Sequence, residues 1–188
     1  MCGRYEIGPT PKIKEILEDL RNRKRSYEFK NGEIFPGDTA PVIALNKDFK
    51  PEVYLMKWGY GLNESLIFNA RSETAADKKM FSEDLNKHRC LVLANYYYEW
   101  DKNRKKYKIY SDDEVIYFAG IFRIENNKLV YTILTRNASD YVSSVHHRMP
   151  VILDDKTKDK WLNLSINAKD IFAHAKLDMR YEEVEKED

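Results

Sequence analysis

The feature that most constrains the fold is a succession of β-prone runs, several of which are joined by short polar turns. These runs lie at 39–47, 52–58, 89–100, 115–124 and 129–137. The last two are joined by the four residues ENNK, which is a typical hairpin signal. Because strand–helix–strand alternation is rare, the sequence predicts an α+β fold in which an antiparallel sheet or partial barrel is flanked by helices.

Helical patterns lie mainly around this set of strands. Thr10 and Pro11 supply an N-cap and a first-turn proline, and apolar residues then recur at helical spacing up to a predicted end near Lys24. The stretch LIFNARSET predicts a strand that runs into a helix. The remaining predicted elements are a helix at about 74–87, a short helix near 138–145, a strand at 150–153 and a helical tail from residue 154.

Length and composition limit the kinds of protein to which this sequence can belong. A chain of 188 residues favours one domain over 1–188, with a charged end that we expect to fray from about residue 180. A formal net charge of only +1 argues against a strongly basic binder. Cys2 and Cys90 are too few for a disulfide framework, and neither a secretory signal nor a membrane-length apolar run is evident. We therefore expect a cytoplasmic monomer with a free Cys2 thiol.

Several polar residues interrupt or border apolar segments. Asn69 follows a short apolar run, Glu99 ends a run of three tyrosines, and His146 and His147 precede Arg-Met-Pro. Each has a structural explanation on its own: a helix cap, a surface ion pair or a satisfied histidine. Together with Cys2, they supply a nucleophile, an orienting amide, a carboxylate and an imidazole.

An ordered series of motifs resembles the SOS-response-associated peptidase (SRAP) family. The motifs are MCGRY, KWGYG, FNARSET, RCLVLANYYYEW, YFAGIFR, TILTRNASDYVSSVHHRMPVIL and WLN, and they span about residues 2–163. Tyr96 and Leu93 stand where the family usually has Gly and Pro, and the loop between KWGYG and FNARSET is short. These departures concern the shape of a DNA groove more than the chemistry.

The resemblance implies an abasic-site sensor and shield of the SOS response and of DNA repair. Removal of Met1 would leave Cys2 with a free α-amine beside its thiol, and this pair would capture the ring-opened sugar of an abasic site in single-stranded DNA as a thiazolidine. Asn69 would orient Cys2 or hold the sugar, Glu99 would move protons, and His146 would protonate the sugar oxygen. The resemblance also implies candidate AP lyase and thiol autopeptidase activities, and no cofactor.

The same resemblance places DNA contacts around these residues. Arg71 and Arg148 are expected to bind phosphates, since each is adjacent to a predicted site residue and arginine presents a planar fork of donors. Arg4 is a weaker candidate for the same role. Trp100 and Trp58 are candidates for stacking on a base, with the hydrophobic core as the alternative for Trp100. The expected partner is abasic single-stranded DNA or a junction of single and double strands, without a membrane.

Three alternatives remain open at the level of the sequence. The first is a peptidase with an N-terminal cysteine nucleophile, and the second is a non-catalytic binder of single strands, which would not need Cys2 or Glu99. The third, a metal site, is disfavoured because the cysteines and histidines lack ligand spacing. Cys90, in an apolar run, is expected to be buried and inert.

The two adjacent histidines have to be told apart. The family pattern places its working histidine two residues before Arg-Met-Pro, which selects His146. If the segment VHHRMP is extended, neighbouring side chains point to opposite faces, and only one of the two can enter the site.

Overall fold

The computed structural model describes residues 2–22, 29 and 31–185. Its helices are α1 (Pro11–Asn22), α2 (Lys79–Lys87), α3 (Asp140–Ser143), α4 (Lys158–Leu162) and α5 (Ala168–Ala173). Its strands are β1 (Tyr5–Ile7), β2 (Gly32–Ile34), β3 (Thr39–Leu45), β4 (Pro51–Trp58), β5 (Tyr60–Leu62), β6 (Ser65–Ile67), β7 (Asn69–Arg71), β8 (Arg89–Ala94), β9 (Tyr96–Trp100), β10 (Lys106–Tyr110), β11 (Ile116–Glu125), β12 (Lys128–Asn137), β13 (Arg148–Pro150), β14 (Ile152–Leu153) and β15 (Arg180–Glu183).

Five strands close into a ring. The order runs from β12 through β4, β3, β8 and β11 and returns to β12, so that every strand of the ring is paired on both sides. Four pairings are antiparallel, and the pairing of β4 with β12 is parallel. A closed ring with an odd number of strands cannot alternate direction throughout. The predicted α+β class is therefore confirmed, with a barrel that closes and has one parallel seam.

A second sheet lies beside the ring, in the order β15-β10-β9-β1-β2. The continuous β-prone run 89–100 feeds both layers, because it breaks at Asn95 into β8 and β9. The Asn95 side chain accepts from the amide of Gly8 and donates to the carbonyl oxygen of Glu114 at 2.9 Å. These bonds hold the chain at the point where it passes from the barrel into the second sheet.

Local sequence signals correctly predicted one hairpin turn and one helix cap. Asn126 and Asn127 both have positive φ angles, 47° and 62°, as a two-residue hairpin turn between β11 and β12 requires. Thr10 Oγ1 accepts from the amide of Ile13 at 3.3 Å, which caps α1 as predicted. The predicted end of this helix near Lys24 lies outside the described residues.

Three boundaries differ from the sequence prediction. The helix predicted at 74–87 begins only at Lys79, because residues 72–77 form turns that start with the amide of Ala75 bonded to the carbonyl oxygen of Arg71. The single strand predicted at 150–153 is divided at Val151, whose amide and carbonyl bond the barrel strands on either side. The tail expected to fray from about residue 180 instead forms β15, which pairs with β10 over four residues.

Aromatic side chains fill the space between the barrel and the second sheet. Trp58 stacks on Tyr131, with ring centroids 6.3 Å apart, and meets the edge of Tyr5 at 5.1 Å. The hydroxyls of Tyr5 and Tyr131 share a hydrogen bond of 2.6 Å, which satisfies both groups inside the core. Cys90 is completely buried, as expected. Among the described residues, no helix has both the length and the apolar character needed to span a membrane.

Gly120 on β11 is closely surrounded by its neighbours in the ring. A Cβ at this position would lie 2.9 Å from Cys90 Sγ and 3.3 Å from the carbonyl oxygen of Thr132. Gly120→Ala should lower the free energy of unfolding by about 1–3 kcal/mol, because the neighbours are fixed by the barrel. Gly8→Ala is the matched control, since its nearest neighbour would lie at an ordinary 3.5 Å. Urea unfolding of both variants provides the comparison, and equal stability would contradict this account of the packing.

Candidate active site

Cys2 lies where the chain enters the second sheet, just before β1, and is completely buried. Its carbonyl oxygen accepts a hydrogen bond of 2.7 Å from Nδ2 of Asn69, the first residue of β7. Because β7 is held parallel to β12, with Asn69 opposite Ile133, the barrel fixes this amide in place. The structure thus brings Cys2 and Asn69, two of the predicted site residues, into direct contact.

Glu99 reaches the same place from β9. Its side chain is buried, and strand alternation puts it on the face of β9 opposite to Trp100. Burial raises the pKa of this carboxyl group. Burial, and then the charge of Glu99, raise the pKa of the Cys2 thiol. The resting thiol is therefore protonated and lies within the electrostatic reach of a carboxylate that could accept its proton.

His146 completes the group. Its Nδ1 lies 4.0 Å from Oε1 of Glu99 and 3.0 Å from the backbone amide nitrogen of Arg148. Nδ1 also lies 3.2 Å from the carbonyl oxygen of Arg148, so its role as donor or acceptor depends on which ring nitrogen carries the proton. Partial burial is the main cause that lowers the pKa of His146, and the nearby positive charge of Arg148 also contributes. The imidazole is therefore neutral near pH 7.

The expectation that His146 and His147 face opposite ways is wrong. The chain leaves α3 in a turn, and β13 begins only at Arg148, so the extended geometry that would separate the two side chains is absent from this segment. The two rings stack on one another, with centroids 4.5 Å apart and an interplanar angle of 30°. The two side chains differ in solvent exposure, because His146 is half-buried whereas His147 is exposed.

The predicted phosphate contact by Arg148 does not fit the structure. Its guanidinium is buried, forms a two-pronged pair with the Glu73 carboxylate at 2.6 and 2.9 Å, and also donates to Asn137 at 2.7 Å and Thr135 at 3.2 Å. An arginine engaged in this way is not presented to a DNA backbone. Arg148 instead joins the turn around Glu73 to β12 and β13, directly behind His146.

The other predicted DNA contacts differ in exposure. Trp58 is completely buried and its indole nitrogen donates to the carbonyl oxygen of Phe68 at 2.9 Å, so the predicted stacking on a base is wrong for this residue. Trp100 is half-buried under the guanidinium of Arg4, which lies 4.9 Å from the ring centroid. Arg4 also pairs with Glu33 at 3.2 Å. Arg71, at the end of β7, is exposed.

Two residues of this region were missed by the sequence analysis. Tyr97 is completely buried on the same face of β9 as Glu99, and burial together with the charges of Cys2 and Glu99 raises the pKa of its hydroxyl. Strand alternation within YYYEW could have identified it, because residues 97 and 99 share a face. Glu73, the partner of Arg148, had no such signal, since its contact depends on the tertiary fold.

The arrangement brings together a nucleophile and two groups that can move protons. Cys2 can provide a thiol, Glu99 a carboxylate of raised pKa, and His146 a neutral imidazole, the set required for covalent catalysis with general acid–base assistance. Over residues 2–22, 29 and 31–185, no cluster of three or more histidine, cysteine or acidic side chains could hold a metal ion.

A family model described as SOS response associated peptidase (SRAP) matches residues 1–187. The chain belongs to the SRAP family. This confirms the family that the ordered motifs predict. Abasic site processing protein YobE of Bacillus subtilis is 37% identical to this SRAP protein over 185 residues, which covers 87% of this chain and 82% of YobE. Abasic site processing protein HMCES of Gallus gallus is 37% identical over 127 residues, which covers 52% of this chain and 38% of HMCES.

Solved structures confirm the fold of this SRAP chain. A phage-related protein of Bordetella bronchiseptica superposes with a TM-score of 0.79 at 22% sequence identity, covering 99% of this chain and 95% of that chain. A protein of Bacteroides thetaiotaomicron gives a TM-score of 0.77 at 20% identity, covering 98% and 92% of the two chains. At these identities the likeness concerns the fold alone.

The Glu73–Arg148 pair allows a stability test. Glu73→Gln should lower the free energy of unfolding by about 1–2 kcal/mol, because it leaves a buried guanidinium short of its counter-charge while half of the Glu73 side chain faces water. Glu83→Gln, which breaks an exposed pair with Lys87, should cost less than about 0.5 kcal/mol. Equal costs would contradict the role given to Arg148.

The pH dependence of this difference follows from the pKa of Glu73, which the hydrogen bonds from Arg148 lower below its ordinary value of 4.5. A lowered folded-state pKa means that the stabilisation is complete above pH 4.5 and is lost as the pH falls towards the folded-state pKa. Wild type and Glu73→Gln should therefore converge in stability below pH 4.5, as measured by chemical unfolding.

Proposed function

We propose that this SRAP protein processes abasic sites in DNA by forming a covalent crosslink through Cys2. The observation that carries the proposal is the burial of Cys2 beside Asn69 and Glu99, with His146 next to Glu99. The names of the relatives YobE and HMCES as abasic site processing proteins support the substrate. The abasic site, once its ring opens, presents an aldehyde, which is an electrophile suited to an amine and a thiol.

The chemistry begins with removal of Met1, which gives Cys2 a free α-amine. An α-amine has an ordinary pKa of about 7.7–8.0, so a useful fraction is neutral and nucleophilic at physiological pH. The amine nitrogen attacks the aldehyde carbon, and the resulting carbinolamine loses water to give an imine. The Cys2 sulfur then adds to the imine carbon, and the thiol proton passes to the ring nitrogen. The product is a thiazolidine, and the net loss is one water molecule.

The neighbouring residues supply what these steps need. Glu99 accepts the thiol proton and returns one to nitrogen, a role that fits a buried carboxyl group of raised pKa. His146 donates a hydrogen bond to the sugar oxygen and favours the open aldehyde. Asn69 holds the Cys2 backbone through its 2.7 Å bond, so that amine and thiol stay together.

The substrate is proposed to be single-stranded DNA or a junction with duplex. A sugar must leave its stack to reach Cys2, and this costs least where the strand is already unpaired. Exposed Arg71, next to Asn69 along β7, is the residue best placed to contact a phosphate. Arg4 and Trp100, stacked together at 4.9 Å, offer a cation and an aromatic ring on the face of β9 opposite to Glu99.

Cys2→Ala tests the covalent step. The variant should form no heat-stable adduct with a single-stranded oligonucleotide that carries one abasic site, because the sulfur that closes the ring is gone. Cys90→Ala, which removes the other buried thiol, should retain the adduct. Denaturing gels and intact mass provide the measurement.

Blocking the α-amine of Cys2, by retained Met1 or by acetylation, should also abolish this adduct. A heat-stable crosslink from either the Cys2→Ala variant or the blocked form would exclude the thiazolidine mechanism.

His146→Ala tests the acid–base step. Crosslink formation or reversal should slow by about 10²-fold, the usual worth of a general acid–base group. His147→Ala should change either rate little, because the exposed ring lies on the solvent side of His146. In wild type, rates on one abasic oligonucleotide should show an inflection below His146's ordinary pKa of 6.5, in addition to the change that titration of the α-amine produces, and only this inflection should be absent in His146→Ala. A slow His147→Ala beside a normal His146→Ala would reverse the assignment.

A further inference from the structure

The last strand of the protein packs against the short helix that leads to His146. The ring of Tyr181 on β15 lies 4.8 Å from that of Tyr141 on α3, centroid to centroid, with an interplanar angle of 37°. The hydroxyls of Tyr181 and of Ser144, the residue that ends α3, share a hydrogen bond of 3.0 Å, and Ser144 Oγ also lies 2.8 Å from the carbonyl oxygen of Tyr141. One aromatic contact and one hydrogen bond therefore join β15 to α3.

The position of α3 determines the position of His146. A helix of four residues is too short to be stable by itself, so its place depends on what packs against it. The amide of His146 bonds the carbonyl oxygen of Val142, a buried residue of α3, at 3.1 Å. Any shift of α3 is thus passed to the backbone of His146 through a direct hydrogen bond.

The other side of β15 is fixed to the sheet that carries Glu99. Tyr181 is opposite Ile109 on β10, and its ring meets the edge of Tyr107 at 5.6 Å. Tyr107 is in turn directly opposite Glu99 on β9. Tyr181 therefore contacts both α3, which leads to His146, and β10, which pairs with the strand that carries Glu99. The separation between α3 and this sheet sets the distance of 4.0 Å between His146 and Glu99.

We infer that Tyr181 is a positioning residue, which holds His146 beside Glu99 by clamping α3 to the second sheet. It touches neither the reacting atoms nor DNA in this account, and it acts through Tyr141 and Ser144. This inference rests on the proposed role of His146 in crosslinking.

Loss of the clamp should change how His146 titrates. The charged groups that face its ring are Glu99 from β9, His147 stacked on it, and Arg148 from β13. Burial is the largest cause that lowers the pKa of His146. A released α3 would expose the ring to water, so its pKa should rise towards the ordinary 6.5.

The experiment compares four single variants and one double variant with wild type in the full chain. Tyr181→Phe and Ser144→Ala each remove the hydrogen bond from one side and should slow crosslinking roughly fivefold, which corresponds to one hydrogen bond. Tyr181→Ala also removes the aromatic contact and should slow it on the order of tenfold or more. Arg180→Ala is the matched control, because Arg180 is on the same strand as Tyr181. This change breaks the ion pair of Arg180 with Asp112 but leaves α3 untouched.

Two readouts are needed: the rate on an abasic oligonucleotide as a function of pH, and the titration of the His146 ring by NMR without DNA. The inference predicts slower rates and a raised His146 pKa in Tyr181→Ala but not in Arg180→Ala. The double variant Tyr181→Phe/Ser144→Ala should be no slower than Ser144→Ala alone, because Ser144→Ala already removes the bond that Tyr181→Phe removes.

The outcomes separate this inference from the proposed function. A folded Tyr181→Ala with an unchanged His146 titration overturns the clamp. A raised pKa without any effect on crosslinking keeps the clamp and overturns the catalytic role of His146. If Tyr181→Ala does not fold, the Tyr181→Phe and Ser144→Ala variants decide, and additive effects of these two would overturn the clamp.

Discussion

The parallel seam of the five-stranded ring is the constraint on which the site depends. An odd ring must contain one parallel pairing, and here β12 accepts both β4 and then β7 in the parallel sense. The chain between these two strands makes the separate β5–β6 hairpin and returns to the same neighbour. Asn69 is the first residue after that return, so the closure of the barrel determines where the amide that holds Cys2 must lie.

A second sheet brings the remaining groups to this amide. Within it, β1 pairs with β9, so the segment that begins with Cys2 and the strand that carries Glu99 are direct neighbours. His146 arrives from a third direction, at the end of a short helix that packs on β15. A nucleophile, a carboxylate and an imidazole that are far apart in sequence therefore lie close together.

Local sequence patterns predicted what depends on neighbours along the chain. The turn at Asn126 and Asn127 and the cap at Thr10 were correct because backbone conformation and local hydrogen bonds decide them. Cys2, Asn69 and Glu99 were selected as polar residues in apolar surroundings and by family motif, and the structure brings them together. The roles of these residues remain predictions.

Errors arose where distant packing decides. Arg148 lies in the motif beside His146, but its guanidinium forms an ion pair with Glu73, which is 75 residues away in sequence. Trp58 packs in the aromatic core between the barrel and the second sheet, and no local sequence pattern predicts this burial. The C-terminal residues look like a charged, solvated tail, yet β10 offers an edge with which Arg180–Glu183 pair.

The central claim is that both the amine and the sulfur of Cys2 bond the same carbon of the abasic sugar. The most direct measurement is NMR of the adduct formed on an oligonucleotide labelled with carbon-13 at that carbon, before and after treatment with borohydride. The account predicts a saturated carbon bonded to nitrogen and sulfur, with an intact mass one water below the sum of the reactants and no uptake of hydrogen. An imine carbon, with two hydrogens gained on reduction, would contradict it.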